Sequence, residues 1–188
     1  MKTIVWDIDD VLNNFTEEWF EKEWLISHPE CNLKFADLVE NPPHVLLGTT
    51  LNIYRESLDK FRSQNGAFFK PVPEVFSWFN ENGSKYRHIA LTAVPLKLAH
   101  ISAAWVYTYY GKWIRSFNIV PSPRCTDPEF NYDKSKKEFL QWLCKGDILI
   151  DDNLVNIEGA RTLGLEVVIF PRPWNGLTAN RIEIFKQL

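Results

Sequence analysis

Short apolar runs alternate along this chain with stretches whose apolar positions recur every three or four residues. Thr3–Trp6 is a β-branched apolar run, the pattern of a strand buried on both faces. Similar short runs at 88–91, 118–120, 147–150 and 166–170 predict four more strands. Helical spacing fills the gaps. One helix spans 74–80 and stops at Asn82-Gly83, and a second spans 96–110 and closes at Gly111. A third covers 135–144, with Phe139, Leu140 and Leu143 on one face, and a fourth covers 154–163 and ends at Gly164. Strands that alternate with helices predict an α/β protein: a Rossmann-like three-layer fold with a parallel central sheet.

Residues 14–70 break this rhythm. Phe15, Trp19, Phe20 and Trp24 have helical spacing, 52–61 reads as a second helix, and Asn41-Pro42-Pro43 lies between them. No strand is predicted there, and the block is too long for an ordinary connection. It is expected to be a small helical cap inserted after the first strand, with 1–13 and 71–188 forming the core. The aromatics Trp19, Phe20, Trp24, Phe61 and Phe69 are expected in its interior. Pro171-Arg172-Pro173-Trp174-Asn175-Gly176 reads as a surface turn after the last strand.

Composition narrows the function. The 188 residues are 45% hydrophobic, enough for a sizeable core, and the net charge of −3 is spread along the chain. With neither a basic tail nor a basic stripe, a nucleic-acid polymer and a membrane surface are excluded as expected partners. No run approaches the ~18 apolar residues of a membrane helix. Cys31, Cys125 and Cys144 are odd in number and form no CxxC pair, so reduced thiols in a cytoplasmic protein are expected. The histidines His28, His44, His88 and His100 have no ligand spacing.

The chemistry gathers at strand ends. Asp7 and Asp9 follow the first strand, Thr92 the second, and Asp151 and Asp152 the fourth, while Lys134, Lys136 and Lys137 crowd the start of the helix before it. The carboxyl edge of an open parallel sheet is where ligands bind. Carboxylates converging there repel one another, and oxygen-only donors suit a hard cation such as Mg²⁺. Two acids two residues apart can divide the work, one as nucleophile and one as proton carrier. A hydroxyl and an ammonium can hold phosphoryl oxygens, and phosphoryl transfer needs mainly such positioning.

In order, "IVWDIDDVLNNF", "IALTAVP", "DKSKKEFLQWL" and "DILIDDN" resemble the four motifs of the haloacid dehalogenase superfamily. That resemblance implies an Mg²⁺-dependent phosphohydrolase acting on a small phosphorylated substrate. It implies Asp7 as the nucleophile that forms an aspartyl-phosphate and Asp9 as acid and base. Thr92, the adjacent Ala93 and a lysine, Lys136 by its helical register, would bind the phosphoryl group. Mg²⁺ would be held by Asp7, the Asp9 main-chain carbonyl, Asp152 directly and Asp151 as a second contact. Asp10 departs from the pattern, since glycine is frequent at that position; its carboxylate either reaches the metal through water or points away. Within the superfamily, motif one and the "IFPRPWN" tail are more weakly similar to 5′(3′)-deoxyribonucleotidases, which implies a (deoxy)nucleoside monophosphate as substrate. A sugar phosphatase, a phosphomutase, a dehalogenase and a non-catalytic module are the alternatives on the same scaffold. Asp9 favours phosphate chemistry, because a dehalogenase needs no second acid.

Overall fold

A computed structural model describes residues 1–122, 124, 131–178 and 180–188. Cys125 lies outside these residues. Five strands form one sheet: β1 (Thr3–Trp6), β2 (Arg87–Val94), β3 (Ile114–Pro121), β4 (Ile148–Asp151) and β5 (Glu166–Ile169). Their order is β3-β2-β1-β4-β5, and every pairing is parallel. β1 therefore occupies the centre, which is why all four of its side chains are buried.

Alternation along β1 sends its side chains into two separate apolar clusters. Ile4 and Trp6 face α4 (Pro73–Asn82) and α5 (Ala99–Tyr110), where Trp78, Phe79, Val106 and Tyr110 pack. Val5 faces α6 (Lys136–Leu143) and α7 (Leu154–Thr162), and meets Phe139, Leu140 and Ala160. The result is the expected three-layer α/β sandwich. The 96–110 stretch is not one uniform helix, since Leu96–Leu98 is a tight 3₁₀ turn that leads into α5.

β2 runs past its expected end. Thr92, Ala93 and Val94 stay in register with Ile119, Val120 and Pro121 of β3. β3 itself starts at Ile114, earlier than its apolar run, because it lies at the sheet edge and is defined by its hydrogen bonds to β2 rather than by burial.

Among the described residues, 14–70 contains no strand of the sheet. It holds α1 (Phe15–Trp19), a π-helical turn (Phe20–Trp24), α2 (Leu25–Ser27) and α3 (Leu51–Asn65). Trp19, Phe20, Trp24, Phe61 and Phe69 are all buried, and they join the cluster that contains Ile4 and Trp6. Phe15, Phe61 and Phe69 pack with ring centroids 5.4–6.3 Å apart, and Trp105 Nε1 on α5 donates to the Phe69 carbonyl at 2.7 Å. Gly66 permits this approach, since a Cβ there would lie 2.7 Å from Ile101 Cγ2. α3 is thereby pressed against the carboxyl rim of the sheet. No helix of the described residues is long and apolar enough to cross a membrane.

Candidate active site

A cavity of about 310 Å³ opens at that rim. Asp7, Asp9, Thr92, Ala93, Lys136 and Asp152 line it from the core, and Tyr54, Arg55, Asp59 and Arg62 line it from α3. Asp151 lies just behind the wall, fully buried.

Each core group owes its place to local structure. The Asp7 amide continues the sheet by donating to the Ile150 carbonyl at 2.9 Å, so its carboxylate emerges where β1 stops. Asp7 Oδ1 accepts from the Ile8 amide at 2.7 Å and lies 2.8 Å from Lys136 Nζ. Lys136 opens α6, whose cap is Ser135, and is 2% exposed; Lys134 and Lys137 are exposed. The same ammonium donates to Asp151 Oδ2 at 2.7 Å. Asp151 also accepts from the Asn153 amide at 2.9 Å and from Asn156 Nδ2 at 3.1 Å, so both its oxygens are engaged. Asp152 Oδ2 accepts from Trp174 Nε1 at 2.6 Å.

One oxygen each from Asp7, Asp151 and Asp152 falls within 4.8 Å of the others. Three buried carboxylates therefore face one ammonium, which leaves an excess of two negative charges. The electrostatics follow. Burial, helped by Asp151 and Asp9 and opposed by Lys136, pushes the Asp7 carboxyl up to about 7. Burial and the neighbouring Asp151 and Asp7 push Asp152 well above the usual carboxylate range. Burial works against the charge of Lys136, but Asp151 and Asp7 outweigh it and hold the ammonium above its ordinary value. An oxygen-only cluster short of two positive charges fits a divalent hard cation.

Thr92 is 1% exposed overall yet contributes to the cavity wall, and Ala93 beside it is exposed. Both lie inside β2 rather than beyond it. Asp9 sits on the turn after β1, where Arg62 and Asn13 Nδ2 hold its carboxylate. Asp10 also lines the cavity, but its carboxylate is taken up by the start of α1. Its carboxylate takes the Thr16 amide at 3.0 Å and the Thr16 hydroxyl, which fastens the start of α1. Its φ of 63° explains why glycine suits this position. Burial raises the Asp10 carboxyl, while Arg172 and Thr16 oppose that rise.

The tail after β5 differs from the expected surface turn. Arg172 is 2% exposed, donates from Nε to the Asp10 carbonyl at 2.6 Å and reaches Asn14 Oδ1 at 2.7 Å. Asn175 Nδ2 donates to the Asp152 carbonyl at 2.9 Å. The tail thus buttresses both acidic loops. Asn156 and Arg62 are site residues that no motif marked, while Asn13 of motif one and Trp174 and Asn175 of the IFPRPWN tail carried no assigned role; the paired prolines around Arg172 signalled a turn but not its target.

No protein-family model and no curated protein matches the chain. Solved structures do. A haloacid dehalogenase-like family hydrolase from Streptococcus pneumoniae aligns with a TM-score of 0.59 at 13% identity, over 90% of this chain and 84% of that one. The chain has the haloacid dehalogenase-like fold. A HAD-superfamily hydrolase of subfamily IA from Geobacter sulfurreducens aligns over the whole of both chains with a TM-score of 0.55 at 13% identity. A protein described as a predicted phosphatase from Clostridium acetobutylicum aligns with a TM-score of 0.56 at 12% identity, covering 89% of this chain and 83% of that one.

Proposed function

We propose that the chain is a haloacid dehalogenase-type phosphohydrolase, dependent on a divalent cation such as Mg²⁺, which cleaves a small polar phosphomonoester. The observation that carries the reading is the convergence of Asp7, Asp151 and Asp152 around Lys136 at the carboxyl rim, with Thr92 on the same cavity. Asp7 and Asp152 would hold the cation through their side chains and Asp9 through its main-chain carbonyl. The bound cation supplies charge stabilisation to the phosphoryl oxygens. Asp151 is fully occupied by Lys136, Asn153 and Asn156, so its first task is to aim the lysine.

In the first step an Asp7 oxygen attacks phosphorus. An O–P bond forms, the ester P–O bond breaks, and Asp9 gives its proton to the departing oxygen. In the second step water attacks the aspartyl-phosphate, Asp9 takes a proton from that water, and the bond from phosphorus to Asp7 breaks to release phosphate. Thr92, the Ala93 backbone and Lys136 hold the phosphoryl oxygens throughout. The 14–70 segment acts as the cap over this chamber.

Size and surface favour a small polar leaving group over a nucleoside. A cavity of about 310 Å³ is at the low end of ligand sites. Of its aromatic walls among the described residues, Phe15 lies under the Arg62 guanidinium at 4.0 Å and Tyr54 packs edge-on against Trp19. Both are buried, at 4% and 5% exposed, which leaves little face for a base to stack on.

The test is phosphate release from a panel of sugar phosphates, short-chain phosphates and nucleoside monophosphates, with and without Mg²⁺. Asp7→Asn is expected to remove turnover by on the order of 10³-fold or more, as loss of a nucleophile does. Turnover by the variant at the wild-type rate would take Asp7 out of the reaction.

A further inference from the structure

Asp9 is gripped from the far side of the cavity. Arg62 Nη2 lies 2.5 Å from Asp9 Oδ2, and Arg62 Nη1 donates to Oδ1 at 3.1 Å, a bidentate fork. The guanidinium is itself immobilised. Nη1 also donates to Ser102 Oγ on α5 at 3.2 Å, the plane rests on the Phe15 ring, and the side chain is 7% exposed. Three residues earlier on the same face of α3, Asp59 receives a second fork of opposite polarity. Arg124 donates from Nη2 to Asp59 Oδ1 at 2.7 Å and from Nε to Oδ2 at 3.0 Å. α3 therefore meets the catalytic rim through two forks, with an arginine placed on the core's acid and an acid placed on the core's arginine. Their spacing sets both the rotation and the height of α3 over the cavity.

We infer that Arg62 is the positioning residue of Asp9, and that the Asp59–Arg124 pair keeps α3 in the register that lets it act. The inference rests on the phosphohydrolase reading above. An ionised carboxylate has about four lone-pair sites. A fork uses one on each oxygen and fixes the plane of the group, Asn13 takes another on Oδ1, and the fourth, on Oδ2, carries the proton that Asp9 gives in the first step. Without the fork the half-buried Asp9 carboxylate keeps one side-chain partner, Asn13 at 3.4 Å. An acid that wanders loses most where the departing oxygen most needs a proton. Seating of the 14–70 segment and alignment of the acid are thus one event, carried by Arg62.

The experiment compares kcat/KM for two phosphomonoesters in Mg²⁺. 4-Nitrophenyl phosphate has a leaving group that departs with little protonation, whereas glycerol 2-phosphate has an alkoxide that does not. Arg62→Ala is expected to lower kcat/KM for the alkyl ester on the order of 10²-fold, the scale of general-acid catalysis, and for the aryl ester by less than about tenfold. Arg62→Lys keeps the charge but not the fork and is expected to fall between; it also serves if Arg62→Ala does not fold. Asp59→Asn is expected to move the ratio the same way by a smaller factor. An equal loss on both esters would reduce Arg62 to a structural residue and overturn the inference, as would an unchanged ratio in both Arg62 variants. Wild-type protein that releases phosphate from neither ester would overturn the phosphohydrolase reading itself. In that event the pairing is judged by urea unfolding of Arg62→Ala, Asp9→Ala and the double variant: losses that fail to add support the clamp, and additive losses sink it.

Discussion

His88 shows what a single side chain demands of its surroundings. Its Nδ1 accepts from Trp6 Nε1 at 3.0 Å, which leaves Nε2 to donate to the Gly83 carbonyl at 2.7 Å. Both nitrogens are engaged only in the neutral ring, and burial holds its pKa below the ordinary histidine value despite the Gly83 carbonyl. In the unfolded chain the ring takes a proton near pH 6.5, whereas in the folded chain it resists until lower pH. The unfolded state then binds more protons, so His88 contributes stability that is whole above about pH 6.5 and is lost as pH falls toward its folded value. Unfolding followed from pH 7.5 to 5 should show a steeper loss in wild type than in His88→Gln; parallel curves would contradict this. At the same scale, sequence spacing singled out Lys136 among three neighbouring lysines, and it is the one of the three that the structure puts against Asp7 and Asp151. Spacing could not say that Arg172 would be buried, because its partners Asp10 and Asn14 are more than 150 residues away.

α6 is the element on which the site is most openly written in the chain. Ser135 caps it by accepting from the Glu138 amide at 3.2 Å, and Phe139 and Leu140 turn one face to the sheet. That same rotation drives Lys136 beneath the rim, between two carboxylates. Removing its charge leaves Asp7 and Asp151 buried without a counter-charge. Lys136→Met is therefore expected to cost about 3–5 kcal/mol in urea unfolding without metal, and added Mg²⁺ should recover part of it. A loss below 1 kcal/mol would mean that the acids have another neutraliser. The strands were less legible than the helices. Thr92 reads as a residue beyond β2 because the apolar run stops at Leu91, yet β3 carries the ladder on to Val94. Hydrogen bonds between strands, not side-chain pattern, decide where an edge pair ends.

The parallel order β3-β2-β1-β4-β5 brings residues 7, 92, 136 and 152 to one end of the molecule. Crowding like charges there opposes folding unless something neutralises them, so a cation that binds only the folded chain must stabilise it. At 100 times its dissociation constant such a ligand adds about 2.7 kcal/mol. Mg²⁺ is expected to raise the melting temperature of the wild-type protein, and chelation to reverse the rise. Asp152→Asn should blunt that response while the α/β circular-dichroism spectrum is kept. A melting temperature indifferent to Mg²⁺ in wild type would argue against a metal at this rim.

Periodicity and strand-end chemistry are local properties, and they were enough for the α/β class, the burial of the Thr3–Trp6 strand and the order of the acids, hydroxyl and lysine along the chain. Backbone geometry makes this possible, since apolar alternation and helical spacing follow from φ and ψ alone. What the tertiary structure decided was every pairing between distant residues: Arg62 on Asp9, Arg124 on Asp59, Trp174 on Asp152 and Arg172 on Asp10. The polar contacts of these arginine and tryptophan side chains leave no periodic signal, because each partner lies more than 20 residues away along the chain. Their side chains reach across the rim because α3 and the tail after β5 are folded over it, a placement no local pattern encodes.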